Sequence, residues 1–167
     1  KCLFTTNEVF DDLSTFEKIK EKNYGFKVIP AFRGDKIMNI EAEKYNDFIG
    51  MLEKVTFKIE SLTDLEKAIE DRLNAFIKVG TVASDIALER TCKVATKEDA
   101  EKVFISRRQG NAVSLEESEI FKGYLTYFLM KLYAKYDIAT ELHLGAMRNN
   151  NAVMMEKLGL DTGYDSI

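Results

Sequence analysis

The sequence predicts an α/β fold, and three observations predict it. Short apolar runs alternate with long amphipathic ones, the pattern of parallel strands joined by helical crossovers. The short runs, such as Phe26-Lys27-Val28-Ile29-Pro30 and Leu142-His143-Leu144, carry residues suited to strands. Several of the long ones open on residue pairs able to cap a helix. About four strands and five or six helices result, which suits either an α/β sheet or part of a (β/α)-barrel. With 167 residues, 46% hydrophobic, the chain can bury one sizeable core but not two.

Taken in order, Leu3-Phe4 followed by Thr5-Thr6 reads as the end of a strand entering a loop. Phe26 to Pro30 reads as a buried strand that leaves the sheet at the only Pro. Tyr45, Phe48, Ile49 and Leu52 then share one helix face, with Asn39 as the expected N-cap. Ser61 with Asp64 starts a better-marked helix whose stripe is Leu65, Ile69, Leu73 and Phe76, and Gly80 stops it. The stretch 39–80 is thus a helical insertion beyond plain strand–helix alternation.

Thr81-Val82-Ala83 is the next expected strand, with Ser84-Asp85 just beyond it. Thr96 with Asp99 opens a helix bearing Ala100, Val103 and Phe104. Ser114 with Glu117 is the clearest capping box, and the helix it opens is broadly apolar, with Ile120, Phe121, Tyr124, Phe128, Leu132 and Tyr136 along one side. That breadth marks its aromatics as core. A strand at Leu142-His143-Leu144, a polar turn and a short helix from Ala152 to Leu158, closed by Gly159, complete the chain. No repeat, low-complexity segment or linker interrupts it.

Composition excludes several functions. Lys plus Arg is 24 against 28 for Asp plus Glu, a net charge of −4, so there is no basic surplus for a nucleic acid. No apolar run is long enough to span a bilayer. Two cysteines, Cys2 and Cys92, fit a reduced cytoplasmic protein better than a disulfide framework. One His, His143, means that a motif of paired histidines cannot be complete here. Both ends look cut from something longer.

Chemistry is expected where strands end and loops begin. Those places carry Thr5-Thr6-Asn7-Glu8, Arg33 with Asp35 and Lys36, Ser84-Asp85, and His143 leading to Arg148-Asn149-Asn150. Parallel, adjacent strands would turn all four toward one pocket suited to an anionic, hydroxylated small molecule, with Arg clamping a carboxylate and Asn and Asp reading hydroxyls. Each also has a plainer reading. His143 can be a structural histidine, Arg33 and Asp35 a surface pair, Ser84-Asp85 a helix N-cap, and 148–151 a capping turn. Glycine spacing fits neither a phosphate loop nor a dinucleotide fingerprint.

Together these loops resemble the uronate (glucuronate) isomerase family. His143-Leu144-Gly145-Ala146-Met147-Arg148-Asn149-Asn150-Asn151 is similar to that family's His-x-Gly-x-x-Arg-Asn-Asn segment. Pro30-Ala31-Phe32-Arg33-Gly34-Asp35-Lys36 resembles its Pro-x-x-Arg-Pro-Asp-Lys stretch, and Thr5-Thr6 falls where it has Thr-Thr-Asp-Asp-Pro. Gly80 with Ser84-Asp85 resembles Gly-x-x-x-Ser-Asp-His, and Gly163-Tyr164-Asp165-Ser166-Ile167 resembles Gly-Phe-Asp-Ser-Ile. Order and spacing agree along essentially the whole chain. Ile86 replaces the family's His, Gly34 its Pro, and Asn7-Glu8-Val9 its Asp-Asp-Pro.

The resemblance implies an internal segment, 1–167, of a partial (β/α)8 TIM-barrel of the amidohydrolase superfamily. It implies interconversion of D-glucuronate with D-fructuronate, and of D-galacturonate with D-tagaturonate. It implies a divalent metal, commonly zinc, held by a His-x-His pair and an Asp, neither within this sequence, so this chain alone is expected to coordinate none fully and to be inactive. His143 would face that metal and act with Asp85 in catalysis, while Arg33, Arg148 and Asn149 would bind substrate. The expected partners are a small uronate and further copies of the chain joined at exposed barrel edges, with no nucleic acid or membrane. A rival reading, favoured by Ile86 and the absent His pair, is a non-catalytic α/β domain that binds a sugar acid or a protein.

Overall fold

The computed structural model describes residues 1–22, 24–146, 149–159 and 162–164. Their strands are β1 (Cys2–Glu8), β2 (Lys27–Arg33), β3 (Ala83–Leu88) and β4 (Ala139–Leu144). They form one sheet in the order β1-β2-β3-β4, with every neighbouring pair parallel. A doubly wound sheet reverses its strand order at a switch point and covers both faces. Here the order is sequential, the arrangement of consecutive barrel strands.

Helix α1 (Ser14–Glu21) connects β1 to β2. Three helices, α2 (Asp35–Met38), α3 (Tyr45–Val55) and α4 (Leu62–Val79), connect β2 to β3. Two more, α5 (Lys97–Arg108) and α6 (Leu115–Lys135), connect β3 to β4, and α7 (Ala152–Leu158) follows. None is long and apolar enough among the described residues to cross a membrane.

Helix starts follow the capping chemistry. Ser61 and Asp64 exchange side-chain and backbone hydrogen bonds, as do Ser114 and Glu117, while Thr96 accepts from the Asp99 N–H. Gly80 ends α4 with φ at 110°, a left-handed cap that few other residues adopt. Strand limits differ more from expectation. Strand β2 continues through Pro30 to Arg33, and β1 runs on to Glu8. Asn39 caps no following helix: it ends the short α2, and Lys44 precedes α3. Ser84 and Asp85 are strand residues rather than a helix cap, because β3 begins at Ala83. Helix α1 gives little sequence signal, since Phe16 is its one buried residue.

The core lies on one face of the sheet. Phe32 is fully buried and meets Phe76 of α4 edge-on at 5.0 Å and Tyr133 of α6 at 6.3 Å. Ser84 and Ile86 are also fully buried, and Leu88 nearly so. Ile86 stands beside Gly34 and Leu129, where a Cβ on Gly34 would lie 3.5 Å from its Cγ2. The Ile86 departure from the family pattern therefore falls in the helix-packed core, and removes no polar group from a catalytic-face loop. This takes away a residue-level reason for the rival reading.

Arg72 links α4 to the turn after β1. Its Nε donates to the Val9 carbonyl at 2.6 Å and its Nη2 to that of Asp11 at 2.8 Å. Its guanidinium lies 5.7 Å from the centre of the Phe76 ring.

Candidate functional site

Side chains alternate across a strand, so the residues between those core positions share the other face. A single register row crosses it: Glu8 pairs with Arg33, Arg33 with Asp85, and Asp85 with Glu141. One row toward the amino ends lies Thr6, opposite Ala31, and one row toward the carboxyl ends lies His143, opposite Ala87. Four charged residues in one row do not belong in a dry core. They form a polar rim that lies at the carboxyl ends of β1 and β2 and midway along β3 and β4.

Asp85 is the centre of that rim. Its Oδ2 accepts from Thr6 Oγ1 at 3.0 Å, and its Oδ1 lies 3.1 Å from His143 Nε2. Neighbouring strands are about 4.8 Å apart, so Thr6 and Asp85, separated by β2, start almost twice that distance from each other. Their side chains meet across β2, where Ala31 opposite Thr6 is small enough to leave the space open. His143 Nε2 also lies 3.4 Å from Glu141 Oε1. Both carboxylates face the same nitrogen, so Nε2 carries the ring proton and donates it. Asp85 is well covered, whereas His143 is half exposed and open to a ligand.

Arg33 is held from one side. Its Nε donates to Asp35 Oδ2 at 2.9 Å, and Asp35 Oδ1 accepts from the Ala87 N–H at 2.8 Å. Burial lowers the Arg33 pKa, but the hydrogen bond to Asp35 and the charges of Asp35, Asp85 and Glu8 outweigh it and raise the pKa overall. The guanidinium stays charged. Glu8 pairs with Lys36 at 3.4 Å through Oε1, while Oε2 is buried without a hydrogen-bond partner among the described residues. Burial raises the Glu8 pKa, against the opposing pull of Lys36 and Arg33.

The structure thus brings together Arg33, Asp85 and His143. Arg148 lies outside the described residues. Asn149 stands in the turn after β4 with a left-handed backbone, φ 55°. Thr6, Asp35, Glu8 and Glu141 belong to the site as well. Thr6, Glu8 and Asp35 fall in the loops expected to line the pocket, whereas Glu141 was missed because its link to Asp85 is cross-strand register, which spacing along the chain does not contain.

A cavity of about 480 Å³ adjoins the rim, lined by His143, Ala87, Cys92, Lys122 and Glu41 among others. In its wall Ser118 donates to Glu41 at 2.8 Å, and Lys122 pairs with the same carboxylate. No group of three or more His, Cys, Asp or Glu side chains among the described residues is placed to hold a metal ion. These residues do not by themselves fit the metal that the resemblance implies.

The sequence-family model described as glucuronate isomerase matches residues 1–167. The uronate isomerase of Caldanaerobacter subterraneus subsp. tengcongensis is 42% identical over 170 residues, covering 100% of this chain and 36% of that protein. The crystal structure of uronate isomerase from Thermotoga maritima matches 99% of this chain and 37% of its own, with a TM-score of 0.93 at 24% identity, a likeness of fold. That of glucuronate isomerase from Caulobacter crescentus matches 99% of this chain and 35% of its own, with a TM-score of 0.88 at 25% identity. The chain spans about a third of the length of the relatives it matches.

Proposed function

Since this chain belongs to the glucuronate isomerase family, we propose that it supplies the substrate-gripping rim of a uronate isomerase whose complete form is longer. The observation that carries this reading is the meeting of a fixed guanidinium, Arg33, with the hydrogen-bonded Asp85–His143 pair on one open sheet edge. Arg33 offers its terminal nitrogens to the sugar's carboxylate, a planar match that Lys lacks. Arg148 and Asn149 are assigned to substrate binding as well.

The reaction is an aldose–ketose isomerisation. A base removes the proton on C2, the C2 hydroxyl proton passes to O1 through the enediol, and the base returns its proton to C1 as O2 becomes the ketone. Atoms and electrons balance with no co-reactant. Asp85 and His143 are a proton-handling couple for these steps: the carboxylate orients the imidazole by accepting from Nε2–H, which leaves Nδ1 of the ring to accept a proton. The divalent metal of the resemblance, zinc, would need ligands beyond the described residues, so no step is assigned to it. The free thiols Cys2 and Cys92 suit the reducing cytoplasm.

The test uses the full-length protein from the reading frame that contains this chain. Conversion of D-glucuronate or D-galacturonate to the ketose is expected, with kcat/KM falling at least about 100-fold in Arg33→Met, Asp85→Asn and His143→Asn. Full activity in those variants, or no uronate turnover by the intact protein, overturns the proposal. The isolated chain is expected to be inactive, and turnover by it that His143→Ala abolishes would show otherwise. The isolated chain is also expected to self-associate, because Leu3, Phe4, Leu142 and Leu144 are exposed on its outer strands. Sedimentation as a clean monomer at high concentration would refute that.

A further inference from the structure

Asp35 holds two pieces of the rim together, the guanidinium of Arg33 and the backbone of β3. We propose that Asp35 is a positioning residue, which sets the spacing between the carboxylate-binding Arg33 and the Asp85–His143 pair. The inference rests on the uronate reading and names how that site selects an acid sugar.

The geometry is specific. Strands β2 and β3 share only two register pairs, Phe32 with Ser84 and Arg33 with Asp85. Beyond Arg33 the chain turns into α2, and the next ladder acceptor for β3 is missing. Asp35 Oδ1 supplies it, taking the Ala87 N–H at 2.8 Å. Its other oxygen takes Arg33 Nε at 2.9 Å. One carboxylate therefore ties the guanidinium to the backbone of the strand that carries Asp85, two residues before Ala87. Asp35 engages Nε, and among the described residues no hydrogen bond occupies the two terminal Nη groups, whose paired geometry fits a carboxylate. A sugar acid must span the gap from Arg33 to the proton-handling pair, and Asp35 fixes that gap.

Two oxygens with two tasks make the roles separable. In Asp35→Asn the amide oxygen can keep the Ala87 N–H, while the amide group turned toward Arg33 is a donor facing a donor. The strand contact stays and the guanidinium is released. In the full-length enzyme D35N is expected to raise KM for D-glucuronate about tenfold, with kcat within about threefold of wild type and an unchanged thermal midpoint. In an Arg33→Lys background, which has no Nε to hold, D35N is expected to add less than about twofold.

An unchanged KM in D35N overturns the inference. So does an equal KM effect in the R33K background, or a fall in kcat that tracks a lowered thermal midpoint, either of which marks Asp35 as merely structural. Should D35N not fold, Asp35→Glu takes its place, because the added methylene displaces the carboxylate by about 1.5 Å. It too must raise KM, and an unchanged value overturns the inference. If the wild-type protein turns over no uronate, the reading of the site has failed, and this inference falls with it.

Discussion

Strands β3 and β4 lie side by side in parallel register over six pairs, from Ala83–Ala139 to Leu88–Leu144. Nevertheless, every second residue of β3 is buried and no residue of β4 is. Their compositions do not explain this, since Leu142 and Leu144 are as apolar as Ile86 and Leu88. The difference is the covering layer. Phe76 of α4 and Tyr133 of α6 close over Phe32, and Leu129 of α6 stands beside Ile86, whereas among the described residues nothing comparable buries β4. Strand pairing alone thus leaves side chains wet. Burial here is a property of the helices, and the fold's stability should be concentrated beneath them.

The largest expected effect tests that contrast directly. Phe32→Ala removes a fully buried ring with two edge-on partners and should cost about 3–5 kcal/mol. Leu142 is 42% exposed, and Leu142→Ala should cost less than about 1 kcal/mol. Urea midpoints of the two variants measure the gap. Equal losses would mean that β4 is covered in solution, by a second copy or by further sequence.

Arg72 comes next, because it fastens the covered side to the rim. Removing its side chain leaves the Val9 and Asp11 carbonyls without these donors, and Val9 is fully buried. Arg72→Ala should therefore cost about 2–4 kcal/mol, and Arg72→Lys, which can satisfy one carbonyl, about half as much. A loss below about 1 kcal/mol in the urea midpoint would show that water replaces the guanidinium easily, and that the turn after β1 is already open.

The same contrast explains what the sequence reveals. Three helix starts were legible because capping is local: Ser61, Thr96 and Ser114 each meet a partner three residues on. Helix α1 was not, since it packs a single Phe16 and shows no stripe. Ser84-Asp85 looked like a loop because two polar residues break an apolar run. In a strand with one face under helices and the other forming a rim, Asp85 is polar for the site, and Ser84 is buried with its hydroxyl 3.4 Å from the Ala139 carbonyl. Arg33, Asp85 and His143 were found by their motif context. The contacts of Thr6 with Asp85 and of Asp35 with the Ala87 N–H were not, because those pairs lie 79 and 52 residues apart.

A smaller effect locates the edge of the covering layer. Gly123 lies inside α6, where alanine is normally the better helix former by about 1 kcal/mol. A Cβ there would stand 2.0 Å from the Lys93 carbonyl oxygen, well inside contact distance and against backbone. The clash should win, leaving Gly123→Ala less stable by about 1–3 kcal/mol in urea unfolding. A stabilised variant would mean that the loop through Lys93 moves aside freely, and that α6 is not pinned on its β3 side.

The smallest effect concerns the rim, and its sign depends on pH. Burial raises the Glu8 pKa even though Lys36 and Arg33 pull it down, and Oε2 has no hydrogen-bond partner among the described residues. A carboxyl whose folded pKa is raised favours folding while protonated. That contribution is complete below the unfolded value, near 4.3, and is lost as pH rises through the folded value. Glu8→Gln is neutral at every pH, so it should match wild type near pH 4 and be the more stable protein at pH 7, by less than about 1 kcal/mol. Lys36 would not be stranded by the change, because its ammonium lies 5.5 Å from the centres of both the Phe10 and Phe48 rings. Thermal midpoints of the two proteins at both pH values measure the difference. If E8Q is instead less stable at pH 7, the Lys36 pair outweighs the cost of covering the carboxylate, and the end of β1 is as well hydrated as β4.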